Sequence, residues 1–334
     1  MSGDAVIPAP LETKYRTMTN GTERVIEVEN LTKRYGALLA VNDISFSVRK
    51  GEVFAFLGAN GAGKTTTVEI IVTIRTPTSG KVHLLGMDVT KKKRDLVQRI
   101  GVLPQGFSSF DRITVRETLQ YYSRLFGCRN TDIDGLIALV DLKDKTQEQF
   151  KNLSGGLKQR LGIAVALVND PEVVFLDEPT TGLDPRARRE VWEVLLGLKN
   201  QGKTVFLTTH YMEEAESLAD RVAIISKGKI IAIDSPGNLT ESNANRLVLT
   251  LQSADDRAFG IIREIGFEPV HDNHRNIKVR LESADDVRKI LNAVKAGGAT
   301  FLGMDVRKPN LEEVFLRLTG EALHEDPAAG RGAE

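Results

Sequence analysis

The run Gly58-Ala59-Asn60-Gly61-Ala62-Gly63-Lys64-Thr65 fits the spacing G-x-x-x-x-G-K-[ST]. The chemistry it suits is capture of a triphosphate, whose clustered negative charges need many donors at close range. Glycines let backbone N–H groups turn inward with no Cβ in the way, and a following helix adds the positive end of its dipole. Lys64 would reach the terminal phosphates, and the Thr65 hydroxyl would meet Mg²⁺. With Thr66 next in the chain, the expected nucleotide-binding set is Gly58, Asn60, Gly61, Ala62, Gly63, Lys64, Thr65 and Thr66. The plain alternative is a flexible glycine loop with a surface lysine.

A second run, Val173-Val174-Phe175-Leu176-Asp177-Glu178-Pro179, is apolar and ends in two carboxylates. Beside a phosphate loop, an Asp at such a strand end serves the Mg²⁺ shell. Side chains alternate along a strand, so Glu178 points away from Asp177. Asp177 is therefore read as a metal residue and Glu178 as the general base facing the attacking water. Two solvated strand-end acids are the alternative.

A third run, Leu153-Ser154-Gly155-Gly156-Leu157-Lys158-Gln159-Arg160, precedes a helical stretch bearing Leu161, Ala164, Val165 and Leu167. Ser154, Gly155 and Gly156 at a helix start offer free N–H groups and a positive dipole end to another anion. The same residues would also serve as an ordinary N-cap.

The elements that position these runs alternate between strand and helix. Strands are expected at 25–28, at the alternating Ile44, Phe46 and Val48, and at 53–57, where an unbroken apolar run signals a strand covered on both faces. Thr114 and Glu117 form a capping box for a helix with Leu119, Tyr122, Leu125 and Phe126. A strand at 173–176, a helix at 186–199, a strand at 204–208 and a hairpin about Lys227-Gly228 complete an α/β pattern with a mostly parallel core. Pro236-Gly237 reads as a break. Beyond it, strands at 246–251, 268–271, 277–281 and 300–306 and helices at 255–265 and 284–295 follow the order β-α-β-β-α-β of a ferredoxin-like unit, with an Asp272-Asn273 turn. A last helix, about 310–318, closes that unit. Residues 1–22 and 321–334 read as mobile or disordered tails.

Together the three runs make the chain resemble an ATP-binding-cassette ATPase over residues 24–237. The octet looks like the family's signature motif, and the other two runs like its Walker A and B elements. The resemblance implies a P-loop NTPase cassette (RecA-like core, helical subdomain at about 106–160, antiparallel β subdomain) at 23–239 and a small α+β extension domain at 240–320. It implies further roles too. Tyr35 would stack on adenine. Gln105 would be the Q-loop residue, touching both metal and reaction. Asp184 would be the D-loop acid and His210 the switch histidine at the γ-phosphate. The implied catalytic set is Glu178, His210, Gln105 and Lys64. The implied metal set is Thr65, Gln105 and Asp177. The cofactors are ATP and Mg²⁺. In this family two cassettes pack head to tail, so Ser154, Gly155, Gly156 and Asp184 of one copy would cover ATP held by the other.

The run Pro309 to Gly320, with Leu311-Glu312-Glu313-Val314-Phe315-Leu316 at its centre, resembles the daunorubicin-resistance branch of these ATPases. That branch implies a separate ABC-2 type membrane permease, a place on the cytoplasmic face of the membrane, and export of a drug, antibiotic or other hydrophobic compound. Phe107 and Phe110 are candidates for the cleft that receives the permease. A soluble ATPase acting on a macromolecular complex is the alternative.

Composition sets the outer bounds. The 334 residues carry 45 basic and 45 acidic side chains, so no global basic excess points to nucleic acid. The single cysteine, Cys128, excludes an intramolecular disulfide. No apolar stretch approaches the ~18 residues of a transmembrane helix, and the N-terminus lacks the basic start of a signal peptide.

Overall fold

The computed structural model describes residues 23–241, 247–272, 276–307 and 310–320. The tails expected at 1–22 and 321–334, the start of a strand at Arg246 and the Asn273 half of a turn lie outside these residues.

The first strands, β1 (Arg24–Tyr35) and β2 (Leu38–Arg49), pair antiparallel and bury alternate apolar residues. In β3 (Val53–Leu57) every residue is buried, and α1 (Lys64–Ile71) follows the glycine loop. Next come β4 (Ser79–Leu84), β5 (Met87–Asp88), α2 (Lys93–Val97) and β6 (Ile100–Leu103). Three helices then form a separate layer: α3 (Val115–Leu125), α4 (Ile133–Leu139) and α5 (Gly155–Ala166). The expected capping box opens α3, with the Glu117 N–H on Thr114 Oγ1 at 3.2 Å and the Thr114 N–H on Glu117 Oε2 at 2.8 Å.

The chain returns to the sheet in β7 (Val173–Asp177), α6 (Pro185–Asn200), β8 (Thr204–Thr209), α7 (Met212–Leu218), β9 (Arg221–Ser226) and β10 (Lys229–Asp234). Residues 236–241 form a short helix, α8 (Pro236–Glu241), where the sequence suggested a break. Proline is tolerated at the first helical position, and the Ser235 hydroxyl caps the turn by accepting from the Asn238 N–H at 3.1 Å.

Two sheets sandwich the larger core. One is antiparallel, in the order β2-β1-β4-β5. The other runs β10-β9-β3-β8-β7-β6, parallel except for the edge strand β10. Facing the antiparallel sheet, Phe54, Phe56 and Phe206 meet Phe46 of β2 with ring centroids 5.6, 5.4 and 6.2 Å apart. Truncating such a buried ring to alanine costs about 3–5 kcal/mol. On the opposite face Val53, Ala55, Leu57, Leu176 and Leu207 pack with Leu161, Ile163, Val191 and Leu195 of α5 and α6.

The extension has the expected element order: β11 (Leu247–Gln252), α9 (Asp256–Glu264), β12 (Pro269–His271), β13 (Ile277–Leu281), α10 (Ala284–Ala296) and β14 (Gly303–Arg307). Its antiparallel sheet runs β12-β13-β11-β14, and α9 and α10 cover its apolar face with Ala258, Ile262, Ile290 and Val294. Because that face is filled, α11 (Leu311–Thr319) does not close the unit as the sequence suggested. It buries Leu311, Val314 and Phe315 in the same core as Ala215, Leu218 and Leu239, against α7 and α8. The Leu311 N–H also donates to the Glu216 carboxylate. No helix among the described residues is long and apolar enough to cross a membrane.

Candidate nucleotide and hydrolysis site

The site gathers at the carboxyl ends of the parallel strands, where open α/β sheets bind their ligands. β3 runs into the glycine loop. β7 ends in Asp177 and leads to Glu178, β8 ends at Thr209 ahead of His210, and β6 leads to Gln105. Sequence-distant residues thus meet because their strands are neighbours.

The loop is shaped by Gly63, whose φ of 104° lies in the left-handed region and whose added Cβ would stand 2.5 Å from the Ala40 carbonyl oxygen. Only glycine fits there. Backbone bonds fix the loop from outside: the Gly58 N–H donates to the Thr209 carbonyl at 3.2 Å and the Gly228 N–H to the Ala62 carbonyl at 3.0 Å. Asn60, Gly61 and Thr65 are exposed, Gly63 and Thr66 half-buried, and Gly58, Ala62 and Lys64 buried. The Lys64 ammonium donates to the Gly58 and Ala59 carbonyls at 2.8 and 3.2 Å, and pairs with Glu178 Oε1 at 3.0 Å.

Glu178 is the hub. Its φ of 50° is left-handed, which for a non-glycine residue costs of order 1–3 kcal/mol and here redirects the chain out of β7. Its Oε2 accepts from Gln105 Nε2 at 3.2 Å and from the Thr181 hydroxyl at 3.1 Å, and lies 3.4 Å from His210 Nδ1. Burial alone would raise its pKa. The neighbouring His210 and the charge and hydrogen bond of Lys64 outweigh burial and hold the carboxylate down at about 2.

Asp177 sits differently. Burial pushes its pKa up, against the hydroxyls of Thr208 and Thr65, which both donate to Oδ1. The Thr65–Asp177 distance is 3.4 Å, so two hard oxygens stand side by side as Mg²⁺ requires. Gln105, expected at metal and reaction alike, is turned to Glu178.

The remaining expected residues make other contacts. Tyr35 ends β1, 37% exposed, with Lys33 Nζ and Arg75 Cζ over its ring at 5.0 and 5.6 Å. Ser154 and Gly155 are exposed at the start of α5. Ser154 accepts from the Leu157 N–H at 3.4 Å, so the N-cap reading holds. Gly156 lets α5 approach α6: a Cβ there would lie 2.8 Å from that of Ala187. Asp184 caps α6, accepting from the Arg186 and Ala187 N–H groups, both at 2.9 Å.

Sequence reasoning missed the hydroxyls that dress the carboxylates, those of Thr181, Thr208 and Thr65 acting together. The signal was available for Thr208: Val205-Phe206-Leu207-Thr208-Thr209 places hydroxyls at the end of a strand otherwise apolar.

Comparison with known proteins identifies the family. The family described as ABC transporter matches residues 41–181. The Nod factor export ATP-binding protein I of Burkholderia orbicola (strain AU 1054) is 41% identical over 305 residues, spanning 90% of this chain and 98% of its own. Its namesake in Rhizobium meliloti (strain 1021) is 39% identical over 307 residues, 89% of each chain. Among solved structures, the ATP binding subunit of an ABC transporter superposes with a TM-score of 0.58 at 25% identity, over 66% of this chain and 93% of that one. A dimeric ATP-binding cassette in a post-hydrolysis state, bound to ADP and phosphate, has the same fold, with a TM-score of 0.57 at 24% identity over 63% of this chain and 98% of that one. The chain belongs to the ABC transporter family, as an ATP-binding subunit that hydrolyses ATP.

Proposed function

We propose that this ATPase powers an exporter of the ABC-2 type, working as a dimer beneath a separate membrane permease that carries a hydrophobic or lipid-linked compound. The catalytic reading rests on one observation, the Lys64–Glu178 pair with Gln105, Thr181 and His210 about it. Lys64 would exchange its pairing with Glu178 for the β- and γ-phosphates of ATP. Glu178 then loses its counter-ion while staying buried, and becomes a stronger base. It takes a proton from water as the water oxygen bonds to the γ-phosphorus and the bridging P–O bond to ADP breaks. His210 meets the γ-phosphate, and Gln105 holds the water against Glu178. Thr65 and Asp177 would hold Mg²⁺, which offsets charge on the leaving phosphates.

Dimerisation follows from what each copy leaves open. Ser154, Gly155 and Asp184 are exposed, so they would cover the nucleotide of a second copy. Export is supported by the relatives, named for Nod factor export, whose similarity spans about nine-tenths of this chain and so includes the extension. The run ending at Gly320 supports the daunorubicin-resistance branch. We divide the chain into a cassette at 23–239 and an extension at 240–320, with α11 packed on the cassette. For the permease cleft, Phe107 packs edge-on against Phe150 within the helical layer, whereas Phe110 is exposed and rests on Tyr121. Phe110 is the better contact. Copurification from detergent-solubilised membranes, with ATPase stimulation by candidate substrates, tests the assignment. Recovery of a permease supports it; recovery of a soluble macromolecular complex instead overturns it.

A further inference from the structure

Glu214 of α7 lies outside every expected motif and has none of its surface exposed. Its Oε1 accepts from the Thr180 hydroxyl at 2.8 Å and from the indole Nε1 of Trp192, on α6, at 3.1 Å. Thr180 comes two residues after Glu178 in the chain. The Thr209 side chain, one residue before His210, faces the same carboxyl. The Thr209 hydroxyl also accepts from the Tyr211 N–H at 2.9 Å, which fixes the turn out of β8. The His210 ring lies against Tyr211, tilted by 40° with centroids 4.1 Å apart, and the Arg188 guanidinium of α6 covers the Tyr211 ring at 4.2 Å.

A fully buried carboxyl is costly, and apolar packing would be cheaper for folding alone. What the carboxyl supplies is a fixed spacing. We propose that Glu214 is a positioning residue for ATP hydrolysis, clamping the chain that leaves β7 with Glu178 to the chain that leaves β8 with His210. The clamp sets the separation of these two groups about the attacking water. Trp192 ties α6 to the same point. The inference rests on the roles given above to Glu178 and His210.

Thr180→Val tests it, because valine keeps the shape of threonine and deletes one donor. In the full chain, kcat for ATP should fall on the order of tenfold, as for a catalytic group displaced by a fraction of an ångström, with KM within about twofold. The melting temperature should stay within a few degrees of wild type. Glu214→Gln keeps the accepting oxygen and should recover to within about threefold of the wild-type kcat, a rescue that a requirement for charge would not allow. If Glu214→Gln fails to fold, Trp192→Phe, which deletes the other donor, should show the same kcat loss at unchanged KM. Wild-type kcat in Thr180→Val overturns the clamp, and so does a loss matched by an equal rise in KM. Glu178→Gln, assayed beside these, separates the two readings. If it hydrolyses normally, the site assignment itself falls. If it is inactive while Thr180→Val is normal, only the clamp falls.

Discussion

Two helix starts in this chain offer N–H groups and the positive end of a dipole by the same physics, and are finished in opposite ways. α1 begins at Gly63 and Lys64 with no side-chain cap, inside a loop held on strand ends, and its lysine is buried against Glu178. α5 begins at Ser154 and Gly155 in the open, with a long 3.4 Å cap as its internal bond. The first start carries its own counter-ion and can stand closed without a ligand. The second has only the serine cap on the Leu157 N–H and no acid in its first turn to offset the dipole. A nucleotide held only by the first would therefore leave the second without an anion, and the proposed pairing of two copies would satisfy both. The difference predicts that damage at α1 acts within one chain and damage at α5 acts between chains.

The sharpest way to break the comparison is Glu178→Gln. Loss of a general base costs ~10²–10⁴-fold, so turnover should nearly vanish while ATP still binds. Glutamine keeps the shape but cannot take the proton. Trapped dimer should accumulate on sizing columns with ATP. Hydrolysis near the wild-type rate would remove Glu178 from its role.

Lys64→Ala comes next, and acts on one chain in two ways. It removes a charge-assisted donor from the phosphates, so ATP affinity or hydrolysis should fall about a hundredfold. It also strands a buried carboxylate, which costs up to about 3–5 kcal/mol when such a pair loses one member. Urea unfolding without nucleotide should show lowered stability. Unchanged stability would mean that Glu178 finds another partner or that water reaches it.

Ser154→Arg should do the reverse. The site is exposed and only the long cap on the Leu157 N–H is lost, so stability without nucleotide should fall by about 0.5–2 kcal/mol, less than for Lys64→Ala. ATP should bind each chain normally. ATP-driven dimerisation, followed by sedimentation, should be lost and hydrolysis should drop with it. A normal ATP-dependent dimer would contradict the division of labour between the two helix starts.

How far the sequence reaches follows the same line between local and distant. The glycine loop, the acid pair and the serine-glycine octet are short runs in which residue type and spacing already state the chemistry. The β-α-β-β-α-β order of the extension was legible because periodicity switches cleanly between two and 3.6 residues. Periodicity also marks Leu311, Val314, Phe315 and Leu318 as one face of α11, of which Leu318 stays exposed, but it carries no information about which surface covers that face. The cover comes from α7 and α8, far earlier in the chain. The left-handed turn at Glu178 was hidden for a similar reason: its φ is set by neighbouring strands, and nothing in Asp-Glu-Pro announces it. Nothing in the sequence singles out Glu214, since burial of a single residue leaves no trace in spacing.

The smallest effect is expected at Tyr35, which stands at the edge of the first region. Stacking of a base on an aromatic ring is worth about 1–3 kcal/mol. Here the ring is 37% exposed and already carries Lys33 and Arg75 over it, contacts worth about 0.5–1 kcal/mol each at exposed sites. Adenine must share or replace those partners, so the net gain sits at the low end, about 1 kcal/mol, or roughly fivefold in affinity. Tyr35→Ala should therefore weaken ATP and ADP binding by that factor and equally, because both carry the same base. Inorganic triphosphate, which has no base, should bind the variant as it binds the wild type. Equal losses for ATP and inorganic triphosphate would place Tyr35 with the phosphates instead. Its two cations would then be the groups that matter, and Arg75→Ala would have to reproduce the effect.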